Sequence, residues 1–453
     1  MQRIWAEQAL TPQGWQRDVL VEIDGGRITR VTQGAAATGN RVGCLLPAPT
    51  NAHSHAFQRA MAGLTERRGP DPKDTFWTWR QLMFRFLDRI TPEQVQAIAA
   101  YVQMEMLEAG YATSVEFHYL HHQPGGVPYA HLSELSDRIA AAADISGIGL
   151  TLLPVFYQYG GCDRRPLTSG QQRFGNTPGR FAQLAEAARR RIDGGPEDWA
   201  FGIAPHSLRA ATPEAIREVI GLAPDGPLHM HLAEQIPEVE DVLAAYGARP
   251  VDWVLQHLSP DARWHFIHCT QMTPQETEAL AKTGATAVLC PLTEASLGDG
   301  IFDGVRWVNA GGSLSIGSDS NIRIALAEEL RQLDTSQRLR DHSRAALATS
   351  EQSTGRRLWQ AITAGGARSA GRQTGAVAPG MWADILALDT THPDLQGLSG
   401  DMILDSYIFA GDDRMVREVW SAGRHMVTVG RHMQRDAITA AYSAAVRDLR
   451  AEL

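Results

Sequence analysis

Asn51-Ala52-His53-Ser54-His55-Ala56-Phe57-Gln58 is the stretch on which the fold turns. It follows the apolar run Cys44-Leu45-Leu46-Pro47 and leads into the small-residue segment 60–64. On a strand, side chains at i and i+2 share a face. Two imidazoles placed that way at the mouth of a barrel can reach one metal ion. In a chain with 16 histidines the pattern alone carries little weight. Its meaning depends on what the other strands bring to the same place.

Working outward, the segment before His53 reads as a strand, and further strands are expected at 112–117, 150–156, 201–204, 228–231, 264–268, 285–290 and 314–317. Helix signals lie between them. Thr91-Pro92-Glu93-Gln94 supplies an N-cap, a proline at the first helical position and a capping-box partner, and Gly110 closes that helix. Thr212-Pro213-Glu214 and Thr273-Pro274-Gln275-Glu276 repeat the device. About eight strands alternating with helices argue for a parallel sheet closed into a (β/α)8 barrel of the α/β class.

Both chain ends depart from this rhythm. Val19–Ile23 and Arg27–Val31 flank Asp24-Gly25-Gly26, a hairpin signal. A hairpin that short needs a partner sheet. Residues 381–388 and 416–427, beyond the turn-rich boundary 375–380, are its natural partners. The expected organisation is therefore a small β-sandwich domain from residues 1–45 and 373–430, a distorted barrel over 46–372, and a terminal helix over 431–453 used for packing or dimer contact.

A chain of 453 residues is long enough for such a barrel with an added domain. Charged residues make up 21% and hydrophobic ones 43%, as in soluble globular proteins. The net charge of -9 argues against nucleic acid, which would need a basic face. No apolar run is long enough to span a bilayer, and the N-terminus has no signal-type apolar core. Cys44, Cys162, Cys269 and Cys290 form no C-x-x-C pair and read as reduced thiols of a cytoplasmic protein.

In a barrel of this type, chemistry belongs at the C-terminal strand ends. Those ends carry His53 and His55, then His118 and Tyr119, then His206, Ser207 and Arg209, then His231 and Glu234, His268, and finally Asp319 and Ser320. Scattered side chains would not choose these positions so consistently. Zinc takes nitrogen and carboxylate ligands and keeps a position for water when catalytic. His53, His55, His231 and Asp319 can supply that set, with Asp319 also placed to accept the water's proton.

This order of residues resembles the amidohydrolase superfamily, and Gly380-Met381-Trp382-Ala383-Asp384 is similar to that superfamily's return strand. Two-metal members place a carbamylated lysine at the end of strand four. Here that end reads Ala204-Pro205-His206-Ser207, and the only lysines are Lys73 and Lys282. One divalent ion is expected, with Zn2+ preferred over iron(II) or manganese(II), which accept the same ligands. His231-Leu232-Ala233-Glu234 with His268 resembles the deaminase branch. That likeness implies that Asp319 and His268 handle the water's proton while Glu234 protonates the departing nitrogen.

Three longer runs resemble the formimidoylglutamate deiminase family: residues 53–64, Phe76-Trp77-Thr78-Trp79-Arg80, and Gly202-Ile203-Ala204-Pro205-His206-Ser207-Leu208-Arg209. The resemblance implies hydrolysis of N-formimino-L-glutamate to N-formyl-L-glutamate and ammonia in histidine degradation, and a homodimer. Gln58, Arg80, Tyr119, His206 and Arg209 are then expected to line the substrate pocket. A dicarboxylate substrate suits arginine's planar fork. The rival expectation is a nucleobase or amino-heterocycle deaminase, which would want aromatic stacking and amide readers where these arginines stand. A non-catalytic binding barrel is the rival from another class.

Overall fold

The structure, a computed structural model, describes residues 1–66 and 83–451. Arg80, the run 76–80 and Lys73 lie outside the described residues. The chain opens with β1 (Gln2–Thr11), β2 (Gly14–Asp24), β3 (Arg27–Thr32) and β4 (Asn40–Pro47). The expected hairpin is β2–β3, with Asp24 paired to Arg27 and Gly25 and Gly26 both at positive φ.

The barrel follows as β5 (Thr50–Ser54), β6 (Thr113–His118), β7 (Gly149–Phe156), β8 (Ala200–Phe201) and β9 (Ala204–Pro205). Its second half is β10 (Leu228–Leu232), β11 (Trp264–His268), β12 (Thr286–Leu289) and β13 (Ser313–Ile316). All pair in parallel with their barrel neighbours. The fourth strand, expected as one run, is split into β8 and β9 at Gly202-Ile203. A side chain on Gly202 would fall 2.4 Å from the Pro227 carbonyl, so only glycine lets the two chains approach there.

Two seams close the ring. Ile203 bridges Leu228, and His229 N–H donates to the Ile203 carbonyl at 3.1 Å. At the other seam Ser54 bridges Asp319. Helices cover the outside. The capping box at Thr91 is formed, with Thr91 N–H donating to Gln94 Oε1 at 3.0 Å, and Gly110 ends the helix Pro92–Ala109 at φ 105°. Thr273 forms a second capping box at Pro274–Ala281, while Thr212 caps Pro213–Ile220 through its side chain alone. The helix Thr354–Ala370 lies against β13 and β5 and plugs the N-terminal end of the barrel. His229 Nε2 meets the Ser369 carbonyl at 2.8 Å, and Thr151 Oγ1 donates to the Ala370 carbonyl at 2.8 Å.

The chain ends with β14 (Ile385–Leu388), β15 (Val416–Ser421), β16 (Arg424–Thr428) and β17 (Arg431–His432). With β1 to β4 they form one eight-stranded sheet in the order β17-β16-β15-β14-β4-β1-β2-β3. Its inner face has its own core of Ile4, Val19, Val21, Ile23, Leu45, Ile385 and Trp420. The strand expected over 381–388 is shorter. Met381 and Ala383 instead reach back to the hairpin, accepting from Ile28 N–H and donating to the Gly26 carbonyl, each at 2.9 Å. The sheet thereby doubles back around its core.

A buried ion network fastens this domain to the barrel. Arg372 pairs with Asp384 at 3.0 Å and Asp198 at 3.1 Å, and Arg424 reaches Asp198 at 2.7 Å. The terminal helix Arg435–Arg450 packs on the barrel, stacking Tyr442 on Tyr101 at 3.9 Å between ring centroids. Among the described residues no helix is long and apolar enough to cross a membrane.

Candidate metal centre and substrate pocket

β5 delivers His53 from its interior, and the strand stops at Ser54, so His55 sits on the turn that follows. The two rings still converge, with Nε2 atoms 3.1 Å apart. β10 brings His231 Nε2 to 3.2 Å from His53 Nε2. Asp319, just past β13, sets Oδ1 at 3.3 Å from His53 Nε2 and 3.2 Å from His55 Nε2. Gly317 makes this convergence possible, since a Cβ there would lie 2.6 Å from the His53 backbone.

These separations test the fit of a metal. Donors about 2.1 Å from a tetrahedral zinc ion are about 3.4 Å from each other. The spacings of 3.1–3.3 Å match such a shell. Two of the three rings, those of His55 and His231, are also oriented from behind, as metal-binding imidazoles are. His55 Nδ1 meets the Phe117 carbonyl at 3.0 Å, and His231 Nδ1 meets the His206 carbonyl at 3.2 Å. Burial, then neighbouring His55, pushes His53 down to about 3. Burial likewise lowers His55 and His231, so all three offer neutral nitrogen lone pairs. Burial works against a charge on Asp319, but the hydrogen bond from His53 and the surrounding imidazoles outweigh it and hold the carboxylate below its usual range.

Beside the ligands lies a chain of ionisable groups. His268 Nε2 is 3.7 Å from Glu234 Oε1 and 4.0 Å from Asp319 Oδ2, while its Nδ1 is 3.2 Å from Glu294 Oε1. Burial disfavours its charged form, yet Glu234, Glu294 and Asp319 together push it up to about 10. Burial raises Glu234, against the pull of His268 and Arg209. Glu234 Oε2 is 3.7 Å from Arg209 Nη2. Burial lowers Arg209, but Glu238 and Glu234 reverse this and hold it above its ordinary value. Five non-glycine residues here have left-handed backbones: Ala233, His268, Cys269, Asp319 and Asn321. Such strain clusters where a strand end must aim a side chain.

The cavity over this cluster encloses about 550 Å³ of atom-free space, mouth included. His55, His231, Asp319, Glu234 and His268 form its floor, and Gln58, Tyr119, His206 and Arg209 stand around it. Gln58 Nε2 donates to Tyr119 Oη at 2.6 Å. The structure thus gathers every residue singled out for the site except Arg80, which is outside the described residues. His118 packs against His121 and does not line this cavity. Met83, Tyr157, Phe174 and Leu297 line it without having been named from the sequence, and Ser320, named there only as a strand-end residue, lines it too. Tyr157 follows β7 and Ser320 follows Asp319, so strand-end position was their signal; Met83 sits in the short helical stretch 83–87 and Phe174 at the end of a 3-10 turn, and neither is marked by periodicity. Glu294, the Nδ1 partner of His268, follows β12 in the same way.

A parallel barrel with His-x-His at the end of its first strand and a carboxylate just past its last has the site order of an amidohydrolase. Residues 44–426 match the amidohydrolase family model, and residues 1–41 match the N-terminal domain of formimidoylglutamate deiminase HutF. Formimidoylglutamate deiminase of Pseudomonas aeruginosa is 44% identical over 99% of this chain and 100% of its own length. The chain belongs to the formimidoylglutamate deiminase family of the amidohydrolases. An 8-oxoguanine deaminase of the same organism is 29% identical over 75% of this chain and 73% of its own. The crystal structure of an amidohydrolase from Brucella melitensis is 46% identical, covers 99% of this chain and 100% of its own, and superposes with a TM-score of 0.95. A zinc-bound adenosine deaminase from Xanthomonas campestris shares the fold at 22% identity and a TM-score of 0.83, over 99% of this chain and 98% of its own.

Proposed function

We propose that this chain hydrolyses N-formimino-L-glutamate to N-formyl-L-glutamate and ammonia, using one divalent ion, zinc, held by His53, His55, His231 and Asp319. The observation that carries the substrate is the full-length similarity to the Pseudomonas aeruginosa formimidoylglutamate deiminase. The pocket chemistry supports it, because a buried arginine, Arg209, faces the cavity of an acidic protein. When bound, the ion would act as a Lewis acid and lower the pKa of a water beside it.

The chain's own groups then divide the proton work. Asp319, 3.3 Å from His53 and ionised, accepts the water's proton as oxygen adds to the formimino carbon. His268, a buried cation among carboxylates, offsets negative charge there. Glu234, whose carboxyl burial raises above its ordinary value, gives a proton to the terminal nitrogen. Asp319 then passes the water's proton to the same nitrogen while the new hydroxyl returns its proton to Glu234, so the carbon–nitrogen bond breaks, ammonia leaves, the carbon–oxygen double bond remains and both carboxyls are restored. Arg209, with Arg80 as second donor, holds the substrate carboxylates, and Gln58, Tyr119 and His206 fix the formimino end. A setting in histidine degradation, a cytoplasmic location and a homodimer go with this reading. Four free cysteines fit a reducing compartment.

The test is ammonia release from N-formimino-L-glutamate by zinc-loaded protein, with guanine, adenosine and cytosine run beside it. Turnover of the first alone is expected. Turnover of a base instead would remove the substrate assignment.

A further inference from the structure

Arg173 is fully buried, and among the described residues no carboxylate lies within ion-pair distance of it. An unpaired guanidinium inside a protein is costly unless its donors are hydrogen-bonded. Here the partners are backbone carbonyls and one phenol. Nε donates to the His122 carbonyl at 2.6 Å, Nη1 donates to the Leu87 carbonyl and to the Ile90 carbonyl at 3.1 Å, and Nη2 reaches Tyr129 Oη at 3.4 Å. Its own carbonyl accepts from His121 N–H and His122 N–H, each at 3.0 Å. One side chain thus ties together the segment 83–90, the turn after β6 and the loop after β7.

Each of those three segments contributes to one wall of the substrate cavity. Met83 comes from the first, Tyr119 from the second and Phe174, next to Arg173, from the third. They touch each other: Tyr119 Oη lies 3.6 Å from the Met83 sulfur, and the Tyr119 and Phe174 rings meet edge to face at 4.7 Å. Gln58 Nε2, hydrogen-bonded to Tyr119, is 3.8 Å from the same sulfur. None of the proposed metal ligands is among the hydrogen-bond partners of Arg173; the wall meets them only where the Tyr119 ring packs edge-on against His55 at 4.8 Å.

We propose that Arg173 is a positioning residue for substrate binding: a carbonyl-bonded guanidinium that sets the Met83–Tyr119–Phe174 wall and makes no direct bond to the metal ligands. Lysine is a poor substitute, since a single ammonium cannot reproduce the planar fork that spans three segments. The inference rests on the proposed substrate reading, and the experiment separates the two. Wild-type protein without turnover of N-formimino-L-glutamate would overturn the substrate reading and this inference with it. With turnover established, kcat, KM and bound zinc are measured for Arg173→Lys, Arg173→Met and Arg173→Ala. A displaced wall raises KM by roughly ten- to hundredfold, with kcat changed less and zinc content unchanged. Millimolar guanidinium is expected to lower KM again in Arg173→Ala. Should the larger changes prevent folding, Arg173→Lys carries the test. Wild-type KM in a folded variant, or equal loss of kcat and zinc, would overturn the positioning role alone.

Discussion

His53 and Asp319 are joined twice. Asp319 N–H donates to the His53 carbonyl at 2.9 Å, and Asp319 Oδ1 lies 3.3 Å from His53 Nε2. Backbone pairing that closes the barrel between its first and eighth strands therefore also sets two ligand atoms at metal-shell spacing. Behind them Asn51, Ser318, Asn321 and Ser54 form a buried hydrogen-bonded chain, with Asn51 Nδ2 to Ser318 Oγ and Ser318 Oγ to Asn321 Oδ1 both at 2.6 Å. Asp319→Asn keeps the shape of this seam and removes a negative ligand that also accepts a proton. Turnover is expected to fall by roughly 10²–10⁴-fold or more, with weakened zinc retention. A wild-type kcat in the metal-loaded variant would exclude Asp319 from the chemistry.

Removing the metal should cost both activity and stability. The four proposed ligands come from three strand ends distant in sequence, so an ion that binds only the folded arrangement stabilises it by mass action. Chelation is expected to abolish ammonia release and lower Tm, and added Zn2+ to restore both. Because burial holds His53 near 3, protons compete weakly for that nitrogen, and zinc retention should vary little between pH 6 and 8. Dialysis at several pH values with metal analysis checks this.

The barrel was legible because its punctuation is local: threonine–proline caps and alternating strand and helix patterns need no knowledge of distant partners. The proposed ligands could be picked out for the same reason, since each stands at a strand end. The break between Phe201 and Ala204 was not, because it depends on the Pro227 carbonyl approaching Gly202 from another strand. Nor was the pairing of His268 with Glu294, which lie 26 positions apart and meet only once β11 and β12 are side by side. Arg173 escaped attention because a buried arginine bonded to carbonyls leaves no trace in charge pattern or periodicity.

Arg209 is buried at 7% exposure and held by Glu234 at 3.7 Å, so its guanidinium is already in place when substrate arrives. Arg209→Ala removes charge-assisted hydrogen bonds to a carboxylate and is expected to raise KM by roughly ten- to hundredfold. Zinc content should not change. Loss of metal in this variant would mean that Arg209 supports the centre rather than the substrate.

Glu234 stands between Arg209 and His268, and its backbone N–H donates to Glu238 Oε2 at 2.9 Å. Glu234→Gln preserves size and that backbone bond but has no proton to give to a leaving nitrogen. A fall in kcat of roughly 10²–10⁴-fold is expected, with KM and zinc content close to wild type. Steady-state kinetics with metal analysis distinguishes this from a structural role, in which all three would move together.

Glu116, on β6, tests the electrostatics of the turn that carries His55. Its Oε1 accepts from Ala56 N–H at 2.8 Å, and burial pushes its carboxyl up to about 8 despite that bond. Below the ordinary carboxylate value of about 4.5 both folded and unfolded chains hold the proton. Between there and pH 8 the unfolded chain has lost it while the folded chain keeps it, so this group makes stability fall as pH rises, by about 1.4 kcal/mol per pH unit at most. Above pH 8 both forms are ionised and the slope vanishes. Glu116→Gln removes the titration and keeps an acceptor for Ala56 N–H. The variant's stability relative to wild type is therefore expected to climb from pH 5 to 8 and then level off, read from denaturant unfolding at each pH. A difference independent of pH would mean that Glu116 is ionised in the folded protein across that range.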